Sequence, residues 1–219
     1  MKRILILGGT GHTGKLMVRE AIENGYEVHA IARQAKKLPL QHPRLIVFKG
    51  TPTNQQLLAE ALEGCVTVLS ALNISRKYLF PWSPLITPKK FMSQTMQMVA
   101  KTGSGKSLNR IIFISAWGVH ETFHELPFWF KALIKWSNIG AAYRDHERQE
   151  EVLRQSGLEW TALRPSGLTN GPARDDVKVS VNGKPRPSLT ISRHSVARFA
   201  VNEIEKQEFV NKAITISKS

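Results

Sequence analysis

The sequence predicts an α/β chain built on a doubly wound, mostly parallel sheet with helices on both faces, and three observations carry that prediction. Short apolar runs alternate with segments of helical period along the whole length, the pattern of strands joined by crossover helices. A glycine-rich turn, Gly8-Gly9-Thr10-Gly11-His12-Thr13-Gly14, stands between the first apolar run and the first helical segment. A length of 219 residues with 42% hydrophobic content suffices for one core, and no Pro/Gly/Ser-rich linker divides it. A single domain over residues 1–219 is therefore expected.

The first strand is read at residues 2–7, where Ile4-Leu5-Ile6-Leu7 suits a strand buried on both faces. Leu16, Met17, Ala21 and Ile22 then recur at helical spacing up to Asn24-Gly25, a natural stop. Between the two elements, Gly8, Gly11 and Gly14 permit a tight turn, close approach of backbone to a pyrophosphate, and close packing of helix on strand. The helix N-terminus offers N–H groups to such an anion. The spacing is G-x-x-G-x-x-G, and the order of strand, turn and helix makes it a Rossmann-type dinucleotide-binding turn. The second strand, residues 27–32, ends at Arg33, where NAD-binding versions carry an acidic residue for the ribose 2'-hydroxyl. Arg33, Lys36 and Lys37 instead offer a 2'-phosphate three cations and no carboxylate, so NADPH is predicted over NADH.

Further strands are expected at 45–49, 66–72, 110–115 and 158–163, with 213–216 closing the sheet. Helices are expected at 54–62, 89–101, 145–155 and 192–206, the last capped by Ser192 and the third ended by Ser156-Gly157. Gly103-Ser104-Gly105-Lys106-Ser107 has the look of a P-loop end, but position 100 is Ala100 and a helix precedes it; it reads as a turn. Phe123, Phe128, Trp129, Phe130 and Trp136, punctuated by Lys131 and Lys135, mark an aromatic-rich substrate or contact loop at about 117–140. Such walls suit a flat apolar acceptor, with an oligomer contact or a membrane-surface patch as the alternatives.

Lys and Arg total 31 against 17 Asp and Glu, a net charge of +14 that concentrates anionic ligands. The cations are scattered, with no arginine-rich arm and no zinc-finger spacing, so neither specific nucleic-acid binding nor a metal site is expected. A lone Cys65 cannot form an internal disulfide and fits a reducing compartment. No stretch approaches the roughly 20 apolar residues of a membrane span, and the run behind Met1-Lys2-Arg3 is too short for a signal peptide. A cytoplasmic protein is expected.

The ordered set Gly8-x-x-Gly11-x-x-Gly14, Arg33, Ser115-Ala116 and Ser156-Gly157-Leu158-Glu159-Trp160-Thr161-Ala162-Leu163-Arg164-Pro165 resembles the atypical short-chain dehydrogenase/reductases. Within them it is most similar to the NmrA-like NAD(P)H-binding proteins and to the flavin-reducing biliverdin reductase B. The resemblance implies that Thr10, His12 and Thr13 line the pyrophosphate, that Arg33 and Lys37 hold the 2'-phosphate, and that Leu72 and Asn73 border the adenosine side. It also implies that Ser115, Ala116 and Trp117 lie beside the nicotinamide and that Pro165, Ser166 and Gly167 close that end.

The chain departs from the group in three places. Gly50-Thr51-Pro52 stands where many members carry an acidic residue for the adenine, and Gly167 stands where biliverdin reductase B has a histidine. The Tyr-x-x-x-Lys acid pair is missing too: Tyr143 is followed by Glu147, and the lysine position falls on His146. Ser115 is the leading catalytic candidate, ahead of Tyr143 and His146, which also read as residues at the surface start of a helix. Two activities are open on this reading. One is an NADPH-binding oxidoreductase that passes hydride to a flat conjugated acceptor such as a flavin or quinone; the other is a non-catalytic, redox-sensing NADP-binding regulator.

Overall fold

In β1 (Arg3–Leu7), Ile4 and Ile6 face one hydrophobic core while Leu5 and Leu7 face another, and all four are buried. A strand with no solvent face requires a helical layer on each side. The computed structural model, which describes residues 1–38 and 41–219, shows that arrangement. After β1 come α1 (His12–Glu23), β2 (Glu27–Ala32), β3 (Leu45–Lys49), α2 (Gln55–Ala61) and β4 (Cys65–Ser70). Then follow α3 (Phe91–Gly103), β5 (Arg110–Ile114), α4 (Phe128–Trp136), α5 (Ile139–Arg154) and β6 (Glu159–Pro165). The chain ends with β7 (Gly167–Thr169), β8 (Val177–Ser180), β9 (Thr190–Ser192), α6 (Arg193–Lys206) and β10 (Lys212–Lys218).

The main sheet has the order β3-β2-β1-β4-β5-β6-β10-β8, parallel throughout except for β8. Helices α1 and α6 pack together on one face, burying Met17, Val18, Val196 and Ala200. Helix α3 packs on α5 across the other face, with α2 beside it, burying Leu58, Met92, Met96 and Leu153. The chain builds outward from β1 to β3 and returns to β4 on the far side of β1. That reversal opens a crevice beyond the C-terminal ends of β1 and β4, the place where open parallel sheets bind ligands.

Several local expectations are corrected. The 213–216 segment does not close the sheet: β8 pairs antiparallel outside β10, from Thr215↔Ser180 to Lys218↔Val177. Val177 and Val179 still reach the core, and an antiparallel edge strand is a common finish to a parallel sheet. Strand β4 stops at Ser70, two residues short of Leu72, and β5 stops at Ile114, leaving Ser115 in the loop. The helix expected at 145–155 starts at Ile139, where Gly140, Ala141 and Ala142 make a first turn of small, buried residues beside α4. A Cβ on Gly140 would stand 2.3 Å from the Ile134 carbonyl oxygen, so α4 and α5 meet at a point only glycine permits. The aromatic stretch itself contains a 3-10 segment at His120–Glu125 and then α4, which starts after Pro127.

Candidate active-site cleft

The glycine turn divides its duties differently from the sequence reading. Gly8 has φ +79°, and a Cβ there would stand 2.7 Å from the Ala71 carbonyl oxygen. Both facts demand glycine. Gly14 sits in the first turn of α1 with its Cβ position 2.0 Å from the Gly8 carbonyl oxygen, so it sets the contact of helix on turn. Gly11 has an ordinary φ of −77° and meets only the Gly8 oxygen, at 3.3 Å; its backbone imposes no glycine. It is the N-cap of α1, no side chain caps the helix, and the first turn His12-Thr13-Gly14-Lys15 carries no acidic residue. The free N–H groups of that turn make an anion site.

A cleft of ≈1340 Å³ runs from this turn along the C-terminal edge of the sheet. Its walls bring together Gly8, Thr10, Gly11, His12, Thr13, Arg33, Leu72, Asn73, Ser115, Ala116, Trp117, Tyr143, His146 and Pro165 from six separate stretches of chain. Gly14 lies behind the turn, and Lys37, in the 3-10 turn Ala35–Lys37, does not reach the wall. Arg76, Lys77 and Arg193 join Arg33 there, while no Asp or Glu is found among the described lining residues. The sequence does not mark these three cations, because Arg76 and Lys77 lie in a loop without period and Arg193 directly follows a helix cap. Arg76 Nε and Ser166 Oγ are buried in the wall with no hydrogen-bond partner among the described residues. Four cations, an open helix N-terminus and two unpartnered donors fit a ligand carrying several phosphates. Gly167 cannot be exchanged for a histidine at no cost, since its Cβ would stand 2.9 Å from the Leu189 carbonyl oxygen.

Ser115 is fixed from behind. Its hydroxyl donates to Glu150 Oε1 at 2.6 Å, so its proton is directed into the protein and only its lone pairs face other partners. Glu150 is fully buried and also accepts from Arg164, through Nε at 3.0 Å and Nη2 at 2.7 Å. Arg164 Nη1 reaches Glu121 at 2.5 Å. Burial alone would raise the Glu121 carboxyl, but the hydrogen bond and charge of Arg164 more than offset it and hold it below the usual carboxylate range. The buried Arg164–Glu150 pair therefore anchors the ends of β5 and β6 under the cleft. In the sequence, nothing distinguishes Glu150 from the charged residues around it in the 145–155 segment.

Tyr143 and His146 lie in the second turn of α5, facing inward rather than at a surface helix start. The Tyr143 hydroxyl donates to the Trp117 carbonyl at 3.1 Å, and burial pushes its pKa up, away from acid duty. The side-chain amide nitrogen of Gln149 donates to the Ile114 carbonyl at 3.0 Å and lies 2.7 Å from His146 Nδ1. With the amide orientation set by a backbone carbonyl, Nδ1 must accept, so the proton of the neutral ring sits on Nε2. Burial, partly offset by the Glu150 and Asp145 carboxylates, lowers the His146 pKa to about 4. The cleft thus holds a neutral imidazole with a fixed N–H donor.

That histidine makes stability depend on pH. Its depressed folded value means that the unfolded chain takes up the proton first, below about pH 6.5. The stabilisation is complete above that pH and declines as the pH falls toward 4. The expected loss over this window is on the order of 3 kcal/mol. Denaturant unfolding of the wild type and His146→Asn at stepped pH will show the difference between them narrowing as acid is added; a constant difference would refute the buried neutral ring.

The model of a family described as NAD(P)H-binding matches residues 8–207. An oxidoreductase of Pestalotiopsis microspora is 25% identical over 180 residues, covering 77% of this chain and 68% of that protein. The photosystem II assembly factor Ycf39 of Synechocystis is 24% identical over 224 residues, covering 98% of this chain and 62% of that protein, so the chain spans under two thirds of it. A short-chain dehydrogenase/reductase of Veillonella parvula, solved in complex with NADP, superposes with a TM-score of 0.79 at 21% identity, covering 99% of this chain and 94% of that one. The anaerobillin reductase ChuY of Escherichia coli O157:H7 superposes with a TM-score of 0.80 at 18% identity, covering 99% and 97%. The two structures share the Rossmann-type fold described above. Because a single family model extends from that turn to the end of α6, this chain belongs to the NAD(P)H-binding family.

Proposed function

We propose that the chain is an NADPH-dependent oxidoreductase whose acceptor is a flat conjugated ring system such as a flavin or quinone. The observation that carries the reading is the wall of the cleft: Arg33, Arg76, Lys77 and Arg193 with no carboxylate, ending at a fixed neutral imidazole. NADPH, when bound, supplies the hydride. The chain's own part begins at the glycine turn, where the N–H groups of His12 and Thr13 would hold the pyrophosphate and Arg33 the 2'-phosphate. Leu72 and Asn73 would border the adenosine and Ala116 and Pro165 the nicotinamide end, while Trp117, Phe130 and Tyr143 line the cleft as an apolar wall that limits water.

The residues next to that wall favour a conjugated acceptor. Reduction of a simple ketone creates localised charge on oxygen and needs a matched proton donor. Tyr143 is raised by burial and committed to a backbone carbonyl, and His146 is held neutral, so neither is tuned to give up a proton near neutrality. A neutral Nε2–H can still hydrogen-bond to an acceptor oxygen and orient it. A flavin or quinone spreads the incoming charge over its rings and takes its proton from water.

The same lack of an acid supports a second reading, a redox-sensing NADP-binding regulator. Steady-state NADPH oxidation across flavins, quinones and simple carbonyl compounds separates the two. Turnover of flavins or quinones with little of ketones is expected, with only a modest loss in Tyr143→Phe. Efficient ketone reduction abolished by Tyr143→Phe would overturn the acceptor assignment, and inert acceptors despite tight NADPH binding would transfer the chain to the regulator class.

Cofactor choice gives a separate prediction. NADPH is expected to bind more tightly than NADH, and Arg33→Asp to remove most of that preference. One charge-assisted contact is worth about 1.5–3 kcal/mol, roughly ten- to a hundred-fold in affinity. Fluorescence titrations with both nucleotides measure it, and equal affinities in the wild type would contradict the role given to Arg33.

A further inference from the structure

Two segments place an unusual set of side chains in solvent next to the cleft. In the loop between β4 and α3, Leu79 is 96% exposed, and Tyr78, Phe80, Trp82 and Ile86 are also exposed. On α4, Phe128 is 85% exposed and Trp136 74%, with Trp129 exposed between them. At a helical repeat, Phe128, Ala132, Trp129 and Trp136 form one stripe, while Phe130 and Ile134 turn inward to pack with Trp117 and Leu126. The two segments are tied into one surface: Trp82 Nε1 donates to the Trp136 carbonyl at 2.7 Å, and Asn138 Nδ2 donates to the carbonyls of Trp82 and Ser83, each at 3.0 Å. A patch this aromatic marks an interaction site rather than ordinary surface scatter.

Its charge identifies the partner. Residues 74–90 and 126–144 together contain seven cations and not one Asp or Glu; Arg76 and Lys77 belong to the cleft wall, while Lys89, Lys90, Lys131, Lys135 and Arg144 lie outside it. None of the seven takes part in an ion pair among the described residues. A second copy is a poor fit, because a two-fold contact would set these cations against themselves. Trp and Tyr rings with a polar edge, exposed apolar side chains on α4 and at the mouth of the cleft, and lysines carried by the same two segments match the boundary between anionic headgroups and acyl chains.

We propose that this face, loop 78–86 together with α4, docks the protein onto an anionic lipid bilayer as a peripheral membrane surface. Phe128, Trp129, Trp136 and Leu79 enter the headgroup–acyl boundary, and the cations, Lys135 and Lys89 among them, meet the lipid phosphates. No helix among the described residues is long and apolar enough to cross a membrane, so the association is one of lying on the surface. Tyr78 and Leu79 also line the cleft, so its mouth opens toward the bilayer. The inference does not depend on which acceptor the cleft takes.

Flotation of the full chain with vesicles of phosphatidylcholine alone, or mixed with phosphatidylglycerol, tests it, together with tryptophan emission and quenching by lipids brominated on the acyl chain. Binding to the mixed vesicles, a blue shift and acyl-chain quenching are expected, since three of the five tryptophans lie on the face. The double variant Phe128→Ser/Trp129→Ser keeps the charge and leaves the cleft wall intact. It should lose vesicle affinity by about ten-fold or more while its circular dichroism and NADPH titration stay unchanged. Lys89→Glu/Lys90→Glu should weaken binding and flatten its salt dependence. The proposal is overturned by failure to float with mixed vesicles, or by equal flotation of the Phe128/Trp129 variant without quenching, which is adsorption of a +14 protein by charge alone. It is also overturned by a concentration-dependent dimer that this variant dissolves.

Discussion

Gly11→Val is expected to fold and to lose most of its affinity for NADPH, whereas Gly14→Val is expected to fail at the level of folding. The contrast follows from the atoms around each position. At Gly11 the backbone is extended, φ −77° and ψ 167°, which valine adopts readily, and the nearest neighbour of a Cβ is one carbonyl oxygen at 3.3 Å. Loss of glycine from the N-cap costs the fold about 1 kcal/mol. The new methyl groups, however, stand before the helix N-terminus where a phosphate approaches. Displacing two charge-assisted contacts there removes about 3 kcal/mol or more, a hundred-fold or greater loss of affinity. At Gly14 a Cβ would lie 2.0 Å from the oxygen and 2.6 Å from the carbon of Gly8, and neither backbone atom can move while Gly8 is held against Ala71. Relief means lifting α1 off the sheet and opening the core around Met17 and Val18, a cost comparable with the whole stability of a domain at about 5–15 kcal/mol. Thermal unfolding followed by circular dichroism, beside a cofactor fluorescence titration, separates the two. Normal NADPH binding by Gly11→Val would remove the pyrophosphate from this turn.

The turn was legible in the sequence because everything that specifies it is local. An apolar strand, spaced glycines and a helical repeat occupy the first 25 residues, and the alternation of strands with helices then follows from alternating periods along the chain. What the residues alone did not disclose depends on distant partners. Glu150 belongs to the run Arg148-Gln149-Glu150-Glu151, which reads as a polar face until Arg164 of β6 and Ser115 beyond β5 close over it. His146 resembled a helix-start residue because the small residues Gly140, Ala141 and Ala142 give a weak period, although they make the buried turn that places it. Its tautomer depends on a carbonyl at Ile114, far away in sequence. Helix α4 was hidden for the opposite reason: apolar residues fill every position but Lys131 and Lys135, so no clear apolar stripe shows without knowing which side meets Trp117.

Glu150→Ala is expected to be the most destabilising single truncation near the cleft. Arg164 is 1% exposed and is held by both oxygens of Glu150; its other carboxylate partner, Glu121, is half exposed. Removing Glu150 leaves a guanidinium out of water with one partly screened counter-charge. Breaking a buried pair from one side costs about 3–5 kcal/mol, which for a chain of this size lowers Tm by roughly 10 °C. Glu150→Gln keeps the shape and some hydrogen bonding and should fall between. Replacing both partners with apolar residues, Glu150→Leu with Arg164→Met, should recover much of the loss, because the cost comes from the orphaned charge rather than from the absence of an ion pair. The same variants report on the cleft. In Glu150→Ala the Ser115 hydroxyl loses its acceptor and becomes free to turn toward a bound cofactor, so NADPH affinity need not fall along with stability. Thermal denaturation and cofactor titration on the four proteins measure both quantities. A loss below about 1 kcal/mol in Glu150→Ala would mean that the pair is solvated, and the serine would then have been available to the nicotinamide from the start.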